Sequence, residues 1–339
     1  LLLASSWASA CGSARLVSSP ADARSSEQAV MERVLAVLPE EHRDNVVYVD
    51  QHGNAYVNRP ELKQQVQFAR PLGGGRYAWP DGTTFVEPHA DFGPAAGPTP
   101  LPTPPSGWVP PPCNLETSGA FRRVLSWPGS GPWWGLYRYA AFSANVWLPD
   151  ASLGQVRMAR PEDTGYVYTG GWGEHPNSTV DAGLQYGQRY NDWAPFIALH
   201  GGRRPRDVVW NPGRLRAGQY ALLQFYVPTD GYVALRVQGE WTDGSRGTQV
   251  GRTMVTSWRA DGLLNRLKRL TSIAQTRRNY RSGSYLLGVH WSRTALGRSL
   301  SALRPWDSSD TAEECDVPPG RVTVQRDSPG DEYVSIDLR

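Results

Sequence analysis

Hydrophobic and polar residues alternate along several short segments in the second half of the chain. In Ser178–Tyr186, the even-numbered positions from 180 onwards are hydrophobic, whereas the polar Asp181 and Gln185 lie between them. Tyr220–Val227 and Tyr232–Gln238 show the same alternation. Because successive side chains of a β-strand point to opposite faces, each segment predicts a strand with one face towards a core.

Turn sequences separate these strand-like segments. Combinations of Pro, Asp and Gly, which favour tight turns, occur at Pro228–Gly231, Asp243–Gly244 and Pro329–Gly330. Many short strands at such spacing are typical of an antiparallel β-sandwich or jelly roll rather than of β–α–β units. We therefore predict a mainly β protein with this architecture. The segment Leu263–Ile273 fits a helix in its first part and a strand in its second.

The chain before Cys113 has a different character. Ser26 and the amphipathic stretch that Pro39 ends predict a helix, and residues 46–93 contain short strand-like pieces. Nine prolines among residues 94–112 favour an extended polyproline II segment without a core. We predict four parts: a signal remnant or flexible leader (1–25), a small N-terminal α+β region (26–93), a Pro-rich linker (94–112) and a β-sandwich domain (113–339).

The first twelve residues resemble the end of a secretory signal, because small residues follow a short apolar stretch. Cys11 directly after Ala10 also resembles the lipidated cysteine of a bacterial lipoprotein, although Ala8 stands where such signals usually carry Leu. We expect a secreted protein, or one lipid-anchored through Cys11 at the bacterial cell envelope. An apolar N-terminal segment without a targeting role is the alternative. No apolar run approaches the roughly 18 residues of a membrane helix, so no transmembrane segment is predicted.

Cys113 and Cys315 form an even pair once Cys11 is set aside. A disulfide between them would close a loop around most of the second half and contribute about 4–5 kcal/mol in the chain-entropy model. Such a bond requires an oxidising compartment, which export would supply. The alternative is a pair of free thiols.

Charge and composition exclude several classes of protein. With 40% hydrophobic and 20% charged residues, the chain of 339 residues is not wholly disordered. Arg252–Arg304 contains eleven basic residues and one acid, so this segment is a candidate contact for an anionic surface, or simply a solvated face. No nucleic-acid-binding motif accompanies it, and we do not expect nucleic acid as a partner. The scattered histidines and three cysteines lack metal-ligand spacing, so we expect neither a metal nor a cofactor.

The polar faces of the predicted strands are rich in amides, arginine and aromatic rings. Amides donate to and accept from sugar hydroxyls or peptide groups, while aromatic rings offer flat apolar platforms. If the strands are neighbours, their polar faces form a floor that binds a polymer; the alternative is an ordinary solvated face, with the rings packed in the core. The candidate ligand-binding residues are Trp172, Gln185, Tyr190, Trp193, Gln224, Arg236 and Gln238.

Tyr166–Phe196, with Gly170-Gly171-Trp172-Gly173 followed by Val180–Tyr186, resembles two sets of secreted β-sandwich proteins. One is the concanavalin-like jelly rolls of polysaccharide-binding and polysaccharide-cleaving proteins. The other is the neprosin-like glutamic peptidases, whose comparable strand reads approximately Ile-Glu-Ala-Gly-Trp. The second resemblance implies a catalytic carboxylate at Asp181, for which Glu240 is the candidate partner. Asp in place of Glu holds the carboxyl about 1 Å further from a substrate, which can cost orders of magnitude in rate.

Three functional hypotheses follow from these features. The leading one is an exported cell-envelope β-sandwich that binds a polymer, either a polysaccharide or an envelope component, without catalysis. The second is a secreted hydrolase, a glutamic-type peptidase or a polysaccharide-cleaving jelly roll, that uses Asp181 with a second carboxylate. The third is a structural envelope component whose Arg-rich segment docks to a partner.

Overall fold

The computed structural model describes residues 20–36, 43–50, 54–86, 113, 119–127, 137–174, 178–199, 206–210 and 215–339. Cys11 and the Pro-rich stretch 94–112 lie outside these ranges. The mainly β fold that the sequence predicts is confirmed, and two helices, α1 Pro20–Ala36 and α2 Leu62–Gln65, precede most of the strands. The ambiguous Leu263–Ile273 segment is a strand from Arg266 onwards.

The strands follow one another along the chain with short connections. They are β1 Val46–Val49, β2 Ala55–Val57, β3 Val66–Phe68, β4 Arg70–Gly73, β5 Arg76–Ala78, β6 Thr84–Val86, β7 Gly119–Ser126, β8 Ala141–Leu148, β9 Val156–Arg157, β10 Asp163–Trp172, β11 Val180–Gly187, β12 Asp192–Leu199, β13 Arg206–Trp210, β14 Leu215–Arg216, β15 Gln219–Tyr226, β16 Tyr232–Glu240, β17 Arg246–Met254, β18 Arg266–Gln275, β19 Tyr285–Gly297, β20 Leu303–Pro305, β21 Thr311–Val317, β22 Val322–Ser328 and β23 Asp331–Asp337.

Two ten-stranded sheets form the sandwich. Sheet A has the order β2-β1-β13-β12-β11-β10-β18-β7-β21, with β14 paired to β12. Sheet B has the order β22-β23-β19-β8-β15-β16-β17-β3, with β9 and β20 paired to β19. All of these strand pairs are antiparallel except that between β1 and β13, which is parallel. Each sheet therefore has one face towards the other sheet and one outer face.

The core between the sheets is built from the alternating apolar positions. Val180, Ala182 and Leu184 of β11 and Leu223 and Phe225 of β15 are completely buried in one cluster that joins both sheets. Large rings complete it, since four tryptophans are at most 1% exposed: Trp193, Trp258, Trp291 and Trp306. Burial of apolar area on this scale is the main stabilising contribution to such a fold.

Residues before the Pro-rich stretch contribute to both sheets. β1 pairs with β13 in sheet A, and β3 pairs with β17 in sheet B. β4, β5 and β6 form a small third sheet, sheet C, whose Tyr77 and Trp79 pack against Val250 on the outer face of sheet B. Arg252 of β17 lies over the Trp79 ring and pairs with Asp81. Residues 46–86 are thus hydrogen-bonded to and packed on the sandwich.

The disulfide that the sequence predicts is confirmed, because Cys113 and Cys315 are joined. Cys315 belongs to β21 at the end of sheet A. The bond ties residue 113 to this strand. As for membrane helices, none of the helices that the structure describes has the length and apolar character to span a bilayer.

Candidate functional site

A charged pair occupies the outer face of sheet A. Asp181 of β11 and Lys268 of β18 both lie opposite Gly170 of β10, the strand between them. Gly170 has no side chain, so the carboxylate and the ammonium meet above it in an ion pair. The side chains are only 16% and 6% exposed, which shields the pair from solvent.

Aromatic rings surround Lys268. Its Nζ is 4.9 Å from the ring centroid of Trp172 and 5.3 Å from that of Tyr168, within the range of cation–π attraction. Gln185, two turns of the strand pleat beyond Asp181, is only 8% exposed. The predicted residues Asp181, Trp172 and Gln185 therefore share one face, with Asp181 held by a cation.

The other two aromatic candidates on sheet A lie elsewhere. Trp193 is completely buried, and its Nε1 donates to the carbonyl oxygen of Pro149 at 3.1 Å. It is a core residue rather than a ligand contact, because its position on β12 faces Tyr186 and the second sheet. Tyr190 is 48% exposed in the turn between β11 and β12.

Gln224 and Arg236 of sheet B are enclosed. Arg236 Nη1 donates to Gln224 Oε1 at 2.8 Å, and Gln224 donates to Ser143 at 3.0 Å. Both candidates are at most 4% exposed, and Val250 beside Arg236 packs under sheet C. Burial lowers the pKa of Arg236 to about 10. These two residues form a structural hydrogen-bond chain and do not offer their polar groups to a ligand.

A groove of about 620 Å³ opens on the outer face of sheet B. Amides, a ring and charged groups line it, among them Asn145, Tyr220, Gln238, Glu240, Arg246 and Arg293. Of the predicted ligand-binding residues, it contains Gln238. It also contains Glu240, the predicted second carboxylate.

Glu240 is neutralised within the groove. It forms ion pairs with Arg216 and Arg246. The hydrogen bond from Arg216 keeps the pKa of Glu240 below its ordinary value, so the carboxylate stays ionised in neutral and mildly acidic solution. Asp181 lies on sheet A and Glu240 on sheet B, and the structure does not bring these two carboxylates to one substrate position.

A chain of hydrogen bonds begins at Tyr220 beside this groove. The Tyr220 hydroxyl lies 2.5 Å from His290 Nδ1, and His290 Nε2 lies 2.8 Å from Asp331 Oδ1. Both contacts are satisfied when Nε2–H donates to Asp331 and Nδ1 accepts from Tyr220. Burial and the nearby Tyr333 and Asp331 raise the pKa of Tyr220, which keeps its hydroxyl protonated.

The same residues form an aromatic row across four strands. Tyr220 on β15 lies opposite Trp147 on β8, with ring centroids 5.3 Å apart. His290 on β19 lies opposite Tyr333 on β23 and stacks on it at 3.8 Å. Tyr220 and Tyr333 are 47% and 46% exposed. We call Trp147, Tyr220, His290 and Tyr333 the aromatic row.

The Arg-rich segment Arg252–Arg304 does not form one basic patch. Arg252 pairs with Asp81, Arg304 with Asp310, and the buried Arg269 with Glu332 between the sheets. Much of its charge therefore serves the fold. As for metals, within the described ranges no group of three or more His, Cys, Asp or Glu residues is placed to hold an ion.

Comparison with known proteins gives only distant likenesses. No protein-family model and no curated protein matches the sequence. Among solved structures, scytalidoglutamic peptidase with a peptide-based transition-state analogue is 8% identical, over 66% of this chain and 98% of that chain, with a TM-score of 0.43. SCP-B of the Eqolisin peptidase family, in complex with the tripeptide Ala-Ile-His, is 7% identical over 65% and 98%, with a TM-score of 0.41. Chicken galectin 2 is 6% identical over 46% and 95%, at 0.24.

The weak resemblance to β-sandwich glutamic peptidases that the sequence shows is confirmed by these likenesses. At such TM-scores and identities, they carry no information about the activity of this chain.

Proposed function

We propose that this protein binds a polysaccharide, without catalysis, on the outer face of sheet B. The observation that carries the proposal is the aromatic row beside the groove. Its two half-exposed tyrosines, Tyr220 and Tyr333, present ring faces and edges to solvent on a rigid sheet. Aromatic rings in such positions stack against the apolar faces of sugar rings.

The groove supplies the complementary polar groups. Asn145 and Gln238 provide amides that donate to and accept from sugar hydroxyls. Tyr220 lines the groove and belongs to the aromatic row, so stacking and hydrogen bonding meet at this residue. Because β8, β15 and β16 are neighbouring strands, these side chains lie on a continuous surface.

Export to the cell envelope is part of this proposal. The Cys113–Cys315 bond is compatible with folding in an oxidising compartment, and the N-terminal residues resemble a secretory signal. The ligand would then be an envelope or extracellular glycan.

Two tyrosines of nearly equal exposure allow a matched test. Binding of the full chain to a panel of polysaccharides is measured by affinity electrophoresis and calorimetry. Tyr220→Ala is expected to weaken binding by about tenfold or more, as loss of a stacked ring does, and Tyr190→Ala to leave it unchanged. Equal binding by the two variants, or no binding of any polysaccharide by the wild type, would overturn the proposal.

A hydrolase that uses Asp181 is the second candidate. What favours it is the placement of a carboxylate, an ammonium and the Trp172 ring together on sheet A, since charged groups in shielded surroundings recur at catalytic sites. The test is a screen of protein and glycan substrates from acidic to neutral pH with wild type and Asp181→Asn. Turnover by the wild type that Asp181→Asn abolishes would establish this function. Equal turnover by both would remove Asp181 from it.

A further inference from the structure

We propose that Arg293 binds the carboxylate of a uronic acid, so that the groove on sheet B selects acidic polysaccharides. This inference rests on the proposed function and names the class of sugar that the groove takes. It is carried by the backbone around Arg293, by its charge environment and by its neighbours in the groove.

A β-bulge brings Arg293 to the outer face. Ser292 pairs with Asn145 and Ala295 with Ser143, so two residues, Arg293 and Thr294, stand where the partner strand has one. In a regular strand, the position after Ser292 would point towards the core. The extra residue corrects the alternation, and Arg293 is exposed and lines the groove. Bulges commonly redirect a side chain in this way next to functional sites.

The conformation of Arg293 is itself unfavourable. Its φ of 51° lies in the left-handed region, which residues with a Cβ adopt at a cost. A backbone of this kind persists only where the surrounding structure imposes it, and such positions cluster at functional sites. A glycine would satisfy the turn more easily, so the arginine side chain requires a separate explanation.

The charge of Arg293 is not neutralised within the described part of the chain. Arg216 and Arg246 pair with Glu240 on the groove wall. Arg293 has no hydrogen-bond or ion-pair partner among the residues that the structure describes. An exposed guanidinium in a groove of amides therefore awaits an anion.

A sugar carboxylate fits this guanidinium better than other groups that the groove can take. The planar guanidinium donates two parallel hydrogen bonds to the two oxygens of a carboxylate. The carboxylate of a uronic acid is attached directly to the sugar ring, and Tyr220 in the same groove offers that ring a stacking surface. One subsite thus engages both features of the sugar.

Polygalacturonate and its fully methyl-esterified form provide the decisive pair of ligands. They share one backbone and differ in whether each carboxyl is charged. Since a charge-assisted bidentate pair is worth roughly 10- to 100-fold in affinity, we expect wild type to bind polygalacturonate at least about tenfold more tightly. Arg293→Gln should abolish this preference, Arg293→Lys should restore part of it, and binding of the ester should be unchanged in both.

Arg277→Gln is the control for a change of net charge. Arg277 is exposed in the turn after β18 and does not line the groove. Its loss should leave the preference intact. Melting temperatures of all variants show that each is folded.

Three outcomes would overturn the inference. They are equal wild-type affinity for acid and ester, a preference that survives Arg293→Gln, and a preference for dextran sulfate over polygalacturonate at equal charge density. Equal binding of acid and ester leaves the proposed function intact. If no polysaccharide of any kind binds, the proposed function itself fails.

Discussion

Asp181 and Lys268 form an ion pair across Gly170, the residue between them on the intervening strand. Gly170 has a φ of 114°, and a Cβ at this position would lie 2.0 Å from the carbonyl oxygen of Val180. The pair therefore depends on a strand that has no side chain at the crossing point. A carboxylate held in this way is already compensated, which favours a structural role over acid–base catalysis.

Asp181→Asn should lower the stability of the fold and leave polysaccharide binding unchanged. The substitution leaves the largely buried Lys268 ammonium without its anion, which costs about 1–3 kcal/mol. Urea unfolding measures the loss, and Asp181→Asn combined with Lys268→Met should recover part of it. Lost binding at unchanged stability would instead place Asp181 in the ligand site.

Glu332→Gln should be far more damaging. Glu332 is completely buried between the sheets, where it pairs with Arg122 of β7 and with Arg269 of β18. Breaking a buried ion pair by removing one partner typically costs about 3–5 kcal/mol, because the remaining charge is left uncompensated. Denaturant unfolding tests this, with Glu314→Gln at the more exposed edge of the cluster as the milder control. Equal effects of the two changes would contradict it.

Arg293→Gly and Arg293→Val should separate stability from selectivity. Both remove the guanidinium and should lose the preference for polygalacturonate. Glycine relieves the left-handed backbone, so its stability should lie within about 1 kcal/mol of wild type. The β-branched valine is strained there and should destabilise the fold by about 1–3 kcal/mol. Thermal unfolding gives the comparison; a destabilising glycine and a neutral valine would refute this account of the bulge.

Acid should release sheet C before it unfolds the sandwich. Hydrogen bonds from Thr83, and then from Arg252, lower the pKa of Asp81 from 3.8 to about 2. A depressed pKa means that the ionised carboxylate stabilises the folded state above about pH 4, and that this contribution disappears as the pH falls towards 2. The stability difference between wild type and Asp81→Asn should therefore be constant from neutral pH to about pH 5 and vanish near pH 2. A difference that grows on acidification would contradict this sign.

Alternation along the sequence was sufficient to locate the strands, but it assigns only the side of a strand on which a residue lies. It does not show what covers that side. Gln224 and Arg236 face away from the core as predicted, yet they are enclosed where sheet C packs over this part of sheet B. Trp193 looked like a ligand contact in an aromatic stretch and is a core residue.

The aromatic row could not be predicted in this way. Tyr220, His290 and Asp331 lie on strands far apart in the sequence, and only the strand order of sheet B brings them together. The bulge at Arg293 also leaves no sequence signal, since no glycine marks it. By contrast, the disulfide followed from counting cysteines, because few pairings were available.

The most direct test of the central claim is hydroxyl-radical footprinting of the full chain, with and without the polysaccharide that it binds most tightly. If the outer face of sheet B holds the ligand, Tyr220 and Tyr333 should be protected, while Tyr190 and Trp172 react as before. Protection of Trp172 with none at Tyr220 would move the binding site to sheet A and contradict the account.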